Sequence, residues 1–275
     1  MQLNNDKFEL ISYKLFNPNN NLKLLKELPF QSDLQTYVAV NLEIFPSTYV
    51  RDLGVYVDNL LSWSEHYHVI YNKCKRLCAW IFSSFSTRHA EVMMTLFHTL
   101  VKPILQYCCE VWSPHLKKDI VLLEQIQRSF TSRITGLQDL NYWQRLDKLG
   151  ISSLQRLRER MILLHVFKIK NKFYPNTISL EFKLHERSNS IKAVLKPLPK
   201  VKGALLKKYE ASFVINCCKL WNSLPYNLTH ISSLNLFKVH LDKFLITVPD
   251  EPPIPGYPFV NSNSVSEQCL RLKFK

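Results

Sequence analysis

Nine aspartates, Asp6, Asp33, Asp52, Asp58, Asp119, Asp139, Asp147, Asp242 and Asp250, are scattered through the chain and no two are adjacent. Chemistry that runs on two divalent ions needs carboxylates that converge on one point, and this spacing offers no such pair. Ser113 and His115 flank Pro114. That places a nucleophile near a base, but no pattern supplies an oxyanion hole or an orienting acid, so hydrolysis is not indicated. His66 and His68 would share a face on a strand, yet they lie in a helical pattern that separates them. The 7 cysteines fall at 74, 78, 108, 109, 217, 218 and 269 without a CxxC. Most sit in apolar runs and read as small buried hydrophobes of a reducing compartment. Cys74 and Cys78 with His66 or His68 fit no standard zinc-finger spacing. The 5 glycines form no phosphate-cradling loop.

What remains for chemistry is charge. The 275 residues carry a net +14, and 46% of them are hydrophobic. The chain can build a sizeable core, and a polyanion is its natural partner, because phosphate contacts release counterions. From Lys117 to Pro175 there are 12 Lys or Arg against 5 Asp or Glu, and from Lys183 to Lys208 there are 8 against one. A basic surface kept for solubility would look similar.

The elements that must position this charge follow from periodicity. Residues 1–62 read as β-rich, with strand-like runs at 36–45 and 50–58 and a turn or bulge at Gly54. A helix follows over 64–83, capped by Ser64, with Tyr67, Ile70, Cys74, Leu77, Cys78 and Ile81 inward. A second helix begins near His89, with Val92, Leu96, Leu100, Ile104 and Tyr107 on its buried face. Pro103 predicts a kink near Thr99 to Lys102. From Lys117 a third helix buries Ile120, Leu123, Ile126, Phe130 and Ile134, leaving Lys117, Lys118, Gln125, Arg128 and Ser132 outward. Ser152 or Ser153 caps another helix reaching Lys172, with Leu154, Leu157, Met161 and Leu164 inward and Arg156 and Arg160 outward. Residues 176–208 read as an exposed basic connector, 209–248 as a C-terminal helical unit, and 249–275 as a disordered tail. The fold class is therefore mainly α, a helical bundle at 63–175 after a small β-rich N-terminal segment.

Three stretches, VKPILQYCCEVWSPH, DIVLLEQIQRSFTSRI and YWQRLDKLGISSLQRLRER, resemble the C-terminal part of reverse transcriptases from non-LTR retrotransposons of the jockey and CR1 type. Matching motifs recur in order from about Asn4 to Leu245. The resemblance implies an RNA-directed DNA polymerase that needs Mg²⁺, with its Tyr-x-Asp-Asp upstream of Met1. This chain would hold the palm's end at 1–62 and the thumb at 63–175. On its own it would be an inactive piece with no cofactor, binding the RNA or RNA/DNA template-primer backbone without sequence preference. By resemblance, Asn4 and Lys7 belong to the palm segment after the catalytic aspartates, and Asp52, Leu53, Gly54 and Val55 to the hairpin that grips the primer end. A thumb needs only a basic face, assigned here to Arg128, Arg133, Arg145, Arg156, Arg158, Arg160, Lys117 and Lys118. Trp112 and Trp143 read as core, with base stacking as the alternative. No apolar leader and no run long enough to span a membrane occurs, so an intracellular place, nucleus or cytoplasm, is expected. Two other readings stay open: a helical protein-interaction module, and a degenerate element copy without a cellular role.

Overall fold

In the computed structural model, the described residues are 10–11, 37–39, 42–44, 46–174, 180–185, 189–195, 212–256 and 262–273. They form a mainly helical protein with small β elements near the N-terminus. The backbone clusters into two units, Met1–Val69 and Ile70–Lys275. No helix among the described residues is long and apolar enough to cross a membrane.

In the first unit, β1 (Leu10–Ile11) pairs in parallel with β4 (Pro46–Ser47). The apolar run at 36–45 is folded back on itself: β2 (Tyr37–Ala39) pairs antiparallel with β3 (Leu42–Ile44). It is therefore two short strands where alternation suggested one. β5 (Tyr49–Asp52) and β6 (Val55–Asp58) form the next hairpin, with Asp52 opposite Val55. Its two loop residues, Leu53 and Gly54, both have positive φ, at 44° and 87°. Such a two-residue loop matches the twist of its strands, and glycine meets that demand without strain.

Asp58 then organises the entry to α1 (Ser64–Ser84). Its carboxylate accepts from the amides of Leu60, Ser62 and Trp63 at 2.8–3.1 Å and from the Ser62 hydroxyl. These bonds hold its pKa below the ordinary carboxylate value despite some burial. Ser64 is thus the first helical residue and not the cap, and Asp58 fixes the loop that leads into it.

The second unit begins inside α1, whose Ile70, Cys74, Cys78 and Ile81 are buried as their spacing required. α2 (Ala90–Leu96), a π turn (Phe97–Val101) and α3 (Lys102–Gln106) then run on continuously. The widened turn, closed by Lys102 N–H to the Phe97 carbonyl, lies where Pro103 was expected to kink the helix. The buried face is Met93, Phe97, Val101 and Leu105, while Val92, Leu100 and Tyr107 are exposed. The expected stripe was off by one residue, because both faces are apolar and periodicity cannot choose between them. After α4 (Cys109–Trp112) comes α5 (Lys117–Thr131), which buries Leu123, Ile126 and Phe130 as expected, with Ile134 just beyond it. Ile120 is only half-buried.

α6 (Tyr142–Leu149) opens on a capping box between Asn141 and Gln144 and closes at Gly150 in the left-handed region. α7 (Leu154–Lys170) starts at Ser153, whose hydroxyl accepts from Arg156 N–H. It is the central helix, buried on most of its circumference. Around it pack α8 (Phe213–Ser223), α9 (Tyr226–Thr229), α10 (Leu234–Thr247) and α11 (Val265–Lys273). Phe167 stacks on Phe237 at 4.2 Å, and Trp221 lies 6.0 Å beyond.

Two segments read as irregular prove structured. In the basic connector, β7 (Leu180–His185) and β8 (Ser190–Leu195) make an antiparallel hairpin. Its edge is closed by Asn222, which bonds both backbone groups of Ala193, and by Trp221 Nε1 donating to the Ile191 carbonyl. These side chains supply the partners a lone hairpin lacks. The tail beyond Pro249 also packs: Asn263, Val265 and Cys269 are buried. The polar composition that suggested disorder belongs to residues satisfying buried partners.

Candidate nucleic-acid interface

The cationic residues picked out by sequence do not gather on one face. Arg145, Arg156 and Arg158 are buried, at 6%, 1% and 1% exposure. Arg145 closes the end of α5, donating to Thr131 Oγ1 and to the carbonyls of Arg128 and Leu140 at 2.8–3.2 Å. Arg156 reaches across to the carbonyls of Leu245, Val248, Pro249 and Asn263, at 2.7–3.5 Å. It thereby ties the last turn of α10 and the C-terminal segment to α7. Arg158 lies near Glu124, whose pKa burial raises while Arg158 pulls it down. Glu124 accepts from the Tyr142 hydroxyl at 2.8 Å and from Gln155 N–H at 2.6 Å. A guanidinium can be buried when carbonyls satisfy its fork, and they do so for Arg145 and Arg156 as structural ties. Arg160 is half-buried and paired with Asp242 at 2.5 and 2.8 Å. The assignment of Arg145, Arg156 and Arg158 to a phosphate-facing surface is therefore withdrawn, and Arg160 is already committed to a carboxylate.

Lys117, Lys118 and Arg133 are exposed and Arg128 is half-exposed. Of these, Arg133 lies where the described residues combine cations, aromatics and a hollow. Between α1 and α5 is a groove with a cavity of about 160 Å³. α1 contributes Tyr71, Lys75, Cys78, Ala79 and Phe82, and α5 with the turn after it contributes Gln125, Ile126, Ser129, Phe130 and Arg133. No carboxylate lines it. The hollow continues along α1 past Asn72 and Arg76. Trp80 stands out from the same helix, 53% exposed.

The groove wall is well fixed. The guanidinium carbons of Arg88 and Arg133 each lie 5.1 Å from the Phe82 ring centroid. Arg88 is anchored by the carbonyls of Phe82, Phe85 and Thr87 at the end of α1. Phe82 and Phe97 each pack near 5 Å from Phe130. Burial pushes the Cys78 thiol up to about 11 although Arg133 nearby favours the thiolate, so the floor stays neutral.

Lys75 and Arg76 were missed by the sequence reading. The signal was present: positions 71, 75, 79 and 82 repeat at helical spacing beside the buried stripe, with Lys75 on that arc and Arg76 at its edge.

The other assignments fall as follows. Leu53 and Gly54 form the exposed tip of the β5–β6 hairpin, flanked by Asp52 and Val55, with Leu53 at 83% exposure and Val55 buried. Asn4 and Lys7 lie outside the described residues. Trp112 is buried, donating to the Tyr107 carbonyl, and the half-buried Trp143 donates to Pro252. Both tryptophans serve packing.

No family model matches the chain, and no solved structure does. A Caenorhabditis elegans protein described only as uncharacterized is 28% identical over 117 residues, which is 42% of this chain. The match spans 59% of that relative's length.

Proposed function

We propose that this chain is the part of a non-LTR-type reverse transcriptase that follows the catalytic aspartates, and that it holds nucleic acid without sequence preference. The groove between α1 and α5 carries this reading. Lys75, Arg76 and Arg133 supply positive charge, Tyr71 and Phe82 supply flat apolar surface, and no carboxylate lines the cavity. Such a combination tracks a phosphate backbone while offering bases something to stack on. The ordered motif series, the net charge of +14 and the tight hairpin at Leu53-Gly54 point the same way.

With no paired aspartates, the chain by itself does not polymerise; the parent enzyme's magnesium chemistry belongs to carboxylates elsewhere. Primer extension with purified protein and Mg²⁺ tests this, and clear product from this chain alone would overturn it. RNA affinity measured at 50 and 200 mM salt tests the binding, which must weaken steeply. A second reading rests on a different feature. On α10, Leu236, Val239 and Ile246 are 57%, 51% and 83% exposed along one side, which suits a helical interaction module. That reading requires a protein association insensitive to salt.

A further inference from the structure

We propose that the cavity between α1 and α5 receives one unstacked nucleobase, so that the groove's ligand is single-stranded nucleic acid. This rests on the nucleic-acid reading above and names the form of the ligand. The cavity, about 160 Å³, is lined from both α1 and α5. A phosphate backbone needs only a charged surface, so a hollow with an aromatic floor asks for something flat and apolar.

Phe82 and Phe130 provide that floor, with ring centroids 4.8 Å apart and planes tilted by 41°. Gln125 and Ser129 line the same cavity from α5, both on its exposed side. The Gln125 amide carries donors and an acceptor, the pair of functions a base edge presents. The Ser129 hydroxyl donates to the Ile126 carbonyl at 3.1 Å, which leaves its oxygen to accept. Lys75 and Arg133 line the cavity from the two opposing helices and are exposed. They can meet the phosphates on either side of an inserted base. In a duplex, that base edge is already paired and both faces are stacked, so entry would require extrusion. An unpaired strand enters without that cost, and aromatic contact then favours any base.

The full chain is titrated by fluorescence anisotropy against three labelled probes of equal length: an RNA single strand, its duplex, and a strand of the same backbone with abasic sites. The expected result is that the base-bearing strand binds about tenfold tighter than either other probe, the factor one stacked base contributes. Gln125→Ala and the cavity-filling Ser129→Phe should each shrink the difference between base-bearing and abasic strands. Circular dichroism melts establish that both variants are folded, and Gln125→Ala, at an exposed site, keeps the test valid if Ser129→Phe is not. Equal affinity for all three probes, or a difference that survives both substitutions, overturns the pocket while leaving salt-dependent binding intact. Failure to bind any probe overturns the nucleic-acid reading and the pocket with it.

Discussion

Arg156 is almost wholly buried, and its guanidinium meets four backbone carbonyls with Glu159 and Asp250 each about 4.0 Å away. Its removal leaves those groups buried without their cation, so Arg156→Ala should cost about 3–5 kcal/mol in urea denaturation. Arg160→Ala should cost roughly 1 kcal/mol or less, because Asp242 remains half in water. Titration gives two opposite signs. Burial pushes the Glu159 carboxyl up to about 7, against the pull of Arg156 and the Val265 amide, with Asp250 adding to the rise. The folded state then holds this proton more tightly than the unfolded chain. Its contribution is complete below about 4.5 and is lost as pH rises through about 7. Glu159→Gln should flatten stability across that window. Burial pushes His66 down to about 4, while its Nδ1 accepts from Tyr56 N–H. That contribution is complete above 6.5 and is lost as pH falls toward 4. An NMR titration of His66 with a midpoint near 6.5 would contradict it.

Among the elements, α6 is the shortest one with both ends explicitly closed. Asn141 accepts from Gln144 N–H at 2.9 Å, Gln144 accepts in return at 3.0 Å, and Gly150 sits at φ 61°. Asn141→Ala should lower stability by about 1 kcal/mol, and Gly150→Ala by a similar ~1 kcal/mol through left-handed strain. Thermal melts of the two variants should both shift downward. The π turn at Phe97–Val101 shows how a stripe spaced by four throughout can stay buried from α2 to α3. Residues spaced by four drift about 40° per step around an α-helix. A widened turn absorbs part of that drift and keeps Met93, Phe97, Val101 and Leu105 on one side.

For the whole molecule, a net charge of +14 is a statement about partners and not about where they bind. The fold consumes part of that charge internally: Arg145, Arg156 and Arg158 are committed to structure. What reaches the α1–α5 groove is Lys75, Arg76 and Arg133. If these neutralise phosphates of a single strand, each substitution to Gln should flatten the plot of log K against log salt by about 0.7. Arg156→Lys, if folded, should leave that slope alone. Slopes that do not respond to Lys75→Gln or Arg133→Gln would place the interface elsewhere.

The sequence by itself determined the long helices α1, α5 and α7 and, for α1 and α5, which face is buried. Their apolar residues recur at three and four against polar neighbours, and that contrast leaves one solution. It also determined the turn at Gly54 and narrowed the next cap to Ser152 or Ser153, since each is a local backbone demand met by a nearby residue. Only the tertiary structure decided which arginines face water, because a guanidinium on a helix surface and one reaching a distant carbonyl have the same local spacing. The partners of Arg156 lie 89 to 107 residues away in sequence. The packed C-terminal segment and the β7–β8 hairpin were hidden for the same reason: Asp250, Asn263 and Asn222 look like loop residues until the groups they satisfy arrive from elsewhere in the chain. The groove is likewise a property of two helices meeting, and neither α1 nor α5 announces it alone.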